Sequence, residues 1–119
     1  MAEHWILTRI LVRMSGGRYE LIYAPQVKDH LRAIDRRHYS LIRKTIEEQL
    51  LHEPDIETRN RKPLKRGPVF EGEWELRFGP DNRFRVFYEV DHAEWSVSIL
   101  AIGVKDGSRL LIGGSEVQG

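Results

Sequence analysis

Groups that could hold a phosphate are concentrated between Arg59 and Arg85 of this 119-residue chain. Five of the eight residues from Arg59 to Arg66 are basic (Arg59, Arg61, Lys62, Lys65, Arg66) and none is acidic. They lead into two runs, Trp74–Phe78 (WELRF) and Phe84–Val90 (FRVFYEV), in which apolar and polar residues alternate. Strand side chains point to opposite sides with period two, so each run reads as a strand with one buried face. If the apolar positions share a core, Arg77 and Arg85 emerge together on the other face, with Glu75 and Phe87 at matching parity and Arg83 just ahead of the second run. Two guanidiniums on a rigid sheet suit a phosphate-bearing ligand, because the planar fork binds phosphate oxygens bidentately and keeps its charge. The ordinary alternatives are a solvated loop for the basic run and a solvated outer face for the two arginines. Glu75 also has two readings, a general base on that face or a cross-strand ion pair with Arg85.

The elements that must position these groups follow from the rest of the pattern. Arg18–Tyr23 (RYELIY) alternates as a strand and ends at Ala24-Pro25, and Pro25 suits the first turn of a helix. Val27, Leu31 and Ile34 then recur at helical spacing. A second helix carries Leu41, Thr45, Ile46, Gln49 and Leu50 on one side and stops near His52-Glu53-Pro54, since a residue before proline disfavours helix. Gly79-Pro80-Asp81-Asn82 turns the hairpin between the two arginine strands. Trp95–Ile102 (WSVSILAI) is a third strand of that group, ending as a continuous apolar run as a central strand does, with Gly103–Gly107 capping it. The order β-α-α-β-β-β predicts an α+β domain, a two-helix hairpin packed on one face of a mainly antiparallel sheet of about four strands. That domain spans 18–112. Residues 113–119 are expected to be a flexible tail. Residues 1–17 are an N-terminal extension outside the core fold: a strand, a helix, a partner-binding arm, or a stretch upstream of a start at Met14. Its apolar part is too short and too charged for a signal peptide.

Composition removes several function classes. With no cysteine, there are no disulfides, no thiol catalysis and no thiolate metal sites. Nineteen basic and 18 acidic side chains leave a formal net charge of +1, so charge is informative only locally. No apolar run approaches the roughly 20 residues that span a bilayer, and a cytoplasmic protein with no membrane contact is expected. His30, His38 and His52 fall on or beside the helices and His92 in a turn, all read as structural or surface groups. No metal-ligand spacing, glycine-rich phosphate loop or serine nucleophile motif is present, so no metal or cofactor is expected.

Several short motifs occur in a recognisable order: Tyr23-Ala-Pro25, Lys62-Pro-Leu-Lys65, Trp74-Glu-Leu-Arg77, Phe84–Asp91 and Ala101-Ile-Gly103. In that order and spacing the chain resembles the RelE/ParE superfamily of toxins from type II toxin–antitoxin systems, over roughly Arg18 to Gly107. The resemblance implies a RelE-like fold and a cognate antitoxin as partner. It also implies one of two targets: messenger RNA on the ribosome, cut by a metal-independent endoribonuclease, or DNA gyrase, inhibited without catalysis. A catalytically degenerate member is the third possibility. Under the nuclease reading, Arg85 matches the strand arginine that contacts the phosphate, Arg77 a basic residue of the preceding strand, and Lys105 the basic residue near the end of the last strand. Arg59, Arg61, Lys62, Lys65, Arg66 and Arg83 would line the RNA path. Two departures stand out: Glu75 occupies the place of a basic residue, and Leu110-Leu111 stand where those nucleases carry a late tyrosine.

Overall fold

Alternation of small runs of apolar residues makes this mostly a sheet protein. The computed structural model describes residues 17–64 and 73–117. The extension up to residue 16 and the stretch 65–72, which holds Lys65 and Arg66, lie outside the described residues. Strand β1 (Glu20–Tyr23) leads into a one-and-a-half-turn helix α1 (Val27–Arg32). A 3₁₀ turn at Arg36–His38, capped by the Asp35 carboxylate accepting the Arg37 N–H, feeds helix α2 (Tyr39–Leu50). Six strands follow: β2 (Arg61–Pro63), β3 (Trp74–Phe78), β4 (Phe84–Asp91), β5 (Ser96–Asp106), β6 (Arg109–Ile112) and β7 (Ser115–Glu116). They lie in the order β2-β3-β4-β5-β6-β7, all antiparallel, while β1 pairs with β5 in parallel.

The α+β class and the antiparallel sheet are as the sequence predicts, but the strand count is seven among the described residues, not about four. The three additional strands, β2, β6 and β7, are two to four residues long. Runs that short carry too little alternation to be read as strands. Two of them revise particular expectations. The basic stretch is partly strand, because Arg61, Lys62 and Pro63 pair with Leu76, Glu75 and Trp74. The stretch from residue 113 turns at Gly113-Gly114, both at positive φ, and Ser115–Glu116 pairs back on β6.

The helices cover one face. Val27, Leu31, Ile34, Ile42, Ile46 and Leu50 bury against Leu76, Phe78, Phe84, Val86, Tyr88, Val97, Ile99 and Ile102. In α2 the buried stripe is Ile42, Ile46 and Leu50, at i, i+4 and i+8, and Leu41 is left exposed, contrary to the expected face. Central strand β5 carries a bulge: Phe87 faces Ala101 but Tyr88 faces Ile99, leaving Leu100 as the extra residue. The inward set therefore switches from Val97 and Ile99 to Ile102, which explains the continuous apolar run in the sequence. The strand also runs on through Gly103 to Asp106, beyond its expected end at Ile102.

Candidate functional site

Cross-strand register decides which charged side chains meet. Directly paired residues share a sheet face, and Arg77 is paired with Arg85, Glu75 with Phe87, Lys62 with Glu75 and Arg85 with Gly103. Lys62, Glu75, Arg77, Arg85 and Lys105 thus lie on the face turned away from the helices. The Arg77 Nε donates to Glu75 Oε1 at 2.8 Å and the Arg85 Nη1 to Glu75 Oε2 at 3.1 Å. Arg85 also donates from Nε to the Asn82 carbonyl at 2.8 Å. The Glu75 side chain is only 8% exposed, against 14% for Arg85 and 39% for Arg77, so a tucked carboxylate holds two more open cations in place. One negative and two positive charges leave the cluster cationic. Each guanidinium has five N–H groups, so both retain donors for an incoming anion.

The backbone beneath this cluster is fixed from both sides. Asn60 accepts the Arg77 N–H through its carbonyl at 2.8 Å and donates from Nδ2 to the Arg77 carbonyl at 2.7 Å. Thr58 Oγ1 in turn accepts the N–H groups of Asn60 and Arg61. Neither Asn60 nor Asn82 could be assigned these roles from the sequence, since both act through turn conformation rather than through any motif.

The remaining basic residues separate into three situations. Arg61 is buried at 8% exposure, donating from Nε to the Ile56 carbonyl and from Nη1 to the Gln49 carbonyl and Gln49 Oε1. Its charge is turned to the end of helix α2, not to the outer face where the basic run led it to be expected. Lys62 lies at 3.6 Å from Glu57, and Arg59 is exposed without an ion pair among the described residues. Arg83 and Lys105 meet where the β3–β4 hairpin ends: the Lys105 N–H donates to the Arg83 carbonyl at 2.7 Å, and the Arg83 guanidinium lies 5.5 Å from the centre of the Phe84 ring. Lys105 belongs to strand β5 rather than to a glycine turn. Gly103 is there because a Cβ would come within 2.8 Å of the Leu111 carbonyl, so β6 can approach only a glycine. Lys65 and Arg66 lie outside the described residues.

On the helix side, a cleft of about 360 Å³ opens between the α1–α2 connection, the end of β5 and the β6–β7 turn. His30 and His38 line it with Arg37, Arg83 and Asp106, over Phe84 and Ile102. The His30 Nδ1 accepts the Ile102 N–H at 3.3 Å, and burial pushes the ring below its ordinary value of 6.5, the Asp29 charge partly opposing. Helix–sheet packing creates this cleft, and no sequence signal joins the two histidines. Among the described residues no group of three or more His, Cys, Asp or Glu could hold a metal ion. No described helix is long and apolar enough to cross a membrane.

Comparison with known proteins adds two findings. The family model described as the ParE toxin of the type II toxin–antitoxin system, parDE, matches residues 21–109. The fold is similar to a chain in the crystal structure of the RelBE2 toxin–antitoxin complex from Mycobacterium tuberculosis. That likeness has a TM-score of 0.54 and 20% identity, covering 74% of this chain and 99% of that one. Identity that low speaks for the fold alone. No curated protein matches the chain.

Proposed function

Because the chain belongs to the ParE toxin family of type II toxin–antitoxin systems, we propose that its target is reached through the cationic sheet face, and that it cleaves messenger RNA on the ribosome. The observation that carries this reading is the Arg77–Glu75–Arg85 cluster, two guanidiniums held side by side on adjacent strands by one buried carboxylate. In RNA cleavage the ribose 2′-hydroxyl attacks the neighbouring phosphate, and negative charge builds on the phosphate oxygens. Arg85, rigid and bonded to Glu75 and Asn82, and Arg77 beside it would bind those oxygens and stabilise that charge. Preorganised cations of this kind are usually the largest catalytic contribution. Both Glu75 oxygens are engaged, which makes it a positioning residue in this scheme; proton transfer then falls to other groups in the ribosomal complex. A cognate antitoxin would cover the face and neutralise the protein; the similar RelBE2 structure is itself of a toxin–antitoxin complex.

A second reading, inhibition of DNA gyrase without catalysis, is favoured by one specific observation. The cluster offers cations but no free base, and β6 presents Leu110 and Leu111 where the nucleases of the superfamily carry a tyrosine. Expression of the chain alone separates the two. The nuclease predicts arrest of protein synthesis within minutes, with cleaved transcripts. DNA damage and supercoiling defects with intact transcripts would instead establish the gyrase reading. Arg85→Ala is expected to abolish arrest while the antitoxin still co-purifies, since Glu75 keeps Arg77 as partner. Glu75→Gln should weaken arrest, because the amide keeps one acceptor oxygen for two guanidiniums; unchanged arrest would show that the clamp does not position them.

A further inference from the structure

We propose that the cleft on the helix side of the sheet is a binding site for a guanine nucleotide. Its volume of about 360 Å³ is within the roughly 300–1,000 Å³ range of small-molecule sites. Two planar side chains reach the cleft above the fully buried Phe84: the half-buried His38 ring, its centre 5.1 Å from that of Phe84, and the exposed Arg83 guanidinium, 5.5 Å from the same ring. Such a pair accepts a flat heterocycle, because bases are held by stacking on aromatic rings and guanidinium planes.

The polar groups at the rim select among flat ligands. Arg37 and Arg83 balance Asp35 and Asp106 in formal charge, so the cleft is not built for a bare anion. It suits a body that both donates and accepts, with an anionic end. His30 adds a defined donor: since Nδ1 accepts the Ile102 N–H, the neutral ring carries its proton on Nε2. Asp35 already accepts the Arg37 N–H at 3.0 Å, whereas the Asp106 carboxylate makes no hydrogen bond or ion pair among the described residues. A free carboxylate matches the guanine N1–H and N2–H groups two at a time, and guanine O6 and N7 accept from histidine or arginine N–H. Adenine has an acceptor at N1 and offers no such pair of donors. The second arginine remains for the phosphate.

Arg83 also lines a shallow dish with Lys105 and Asp81 at the hairpin end, linking the cleft to the outer face. If RNA is the substrate, as proposed above, the cleft would take a guanine of that RNA on the side of the sheet opposite Arg77 and Arg85. Binding itself does not depend on that reading.

The test is an NMR titration of the full chain with GMP and with AMP, following the ring protons of His30 and His38. GMP is expected to shift both rings saturably and to bind at least about tenfold tighter than AMP, as a bidentate base contact allows. Asp106→Asn should erase that preference, and Arg83→Ala should weaken both nucleotides. Equal or tighter binding of AMP, or no saturable shift with about 5 mM GMP, would overturn the proposal. A chain that binds GMP but leaves transcripts intact on expression keeps this inference and removes the nuclease reading. A chain that cuts transcripts but does not bind GMP does the reverse.

Discussion

Arg61 stands two residues after Arg59 in the same basic run, yet its guanidinium serves the interior. The last carbonyls of a helix have no intrahelical donor and carry the negative end of its dipole, and Arg61 meets both needs at Gln49. Tyr88 closes the same corner, its hydroxyl donating to the Pro54 carbonyl at 2.6 Å while burial drives its ionisation far upward. Arg61→Ala is therefore expected to lower the unfolding free energy by about 2–3 kcal/mol, the range for charged hydrogen bonds left without a partner. Urea denaturation would show it, and Arg61→Lys should recover only part, because an ammonium cannot reproduce the fork. Parity alone placed Arg77, Arg85 and Glu75 on one face, since the strand period is rigid. It could not reveal that Arg61 turns inward, because nothing local marks which arginine meets a helix end.

At the scale of elements, strand β5 does most of the organising. β1 pairs with its first half and β6 with its last four residues, both on one side, leaving a gap around Leu100 to Ile102. Helix α1 fills that gap with side chains: Gln26 Nε2 donates to the Leu100 carbonyl at 3.2 Å, and His30 Nδ1 accepts the Ile102 N–H. Protonating His30 would remove that acceptor. Its folded value is depressed by burial, so the unfolded chain binds the proton more readily. The His30 contribution is then complete above the ordinary 6.5 and is lost as pH falls through the lower folded value. Urea midpoints measured between about pH 7.5 and 5 should fall less steeply in His30→Gln than in the parent. A parallel profile would show that the bond to Ile102 is not what titrates. Gly103 sets the other half of the strand. Gly103→Ala places a Cβ 2.8 Å from the Leu111 carbonyl and 2.9 Å from Ile112, and is expected to cost about 1–3 kcal/mol by forcing β6 away. Hydrogen exchange localised to β6 would show where the strain goes.

For the molecule as a whole, the sheet separates two surfaces with different work. One face carries the clamped arginines; the other buries the core and, at its end, the histidine cleft. Since formal charge over the chain is only +1, neutralisation need not engage the whole surface. Co-expression with the cognate antitoxin is expected to restore growth and to yield a stable complex, and, on the proposed nuclease reading, that complex should not bind RNA. Gel filtration and a binding assay on the purified pair would check both. An antitoxin that restores growth while leaving RNA binding intact would place the toxic surface elsewhere.

The α+β class, the buried strand faces and the shared side of Glu75, Arg77 and Arg85 were determined by sequence alone, because period-two and helical spacing are local properties of the chain. Tertiary structure decided the rest: that both Glu75 oxygens hold the arginines, that Arg61 caps a helix, that the chain beyond residue 112 turns back as a strand, and that His30 and His38 share a cleft. Each of these joins residues from different elements, through contacts that form only once helices and sheet have packed. Local spacing specifies which face a side chain takes, but what it meets there depends on how distant segments close over it.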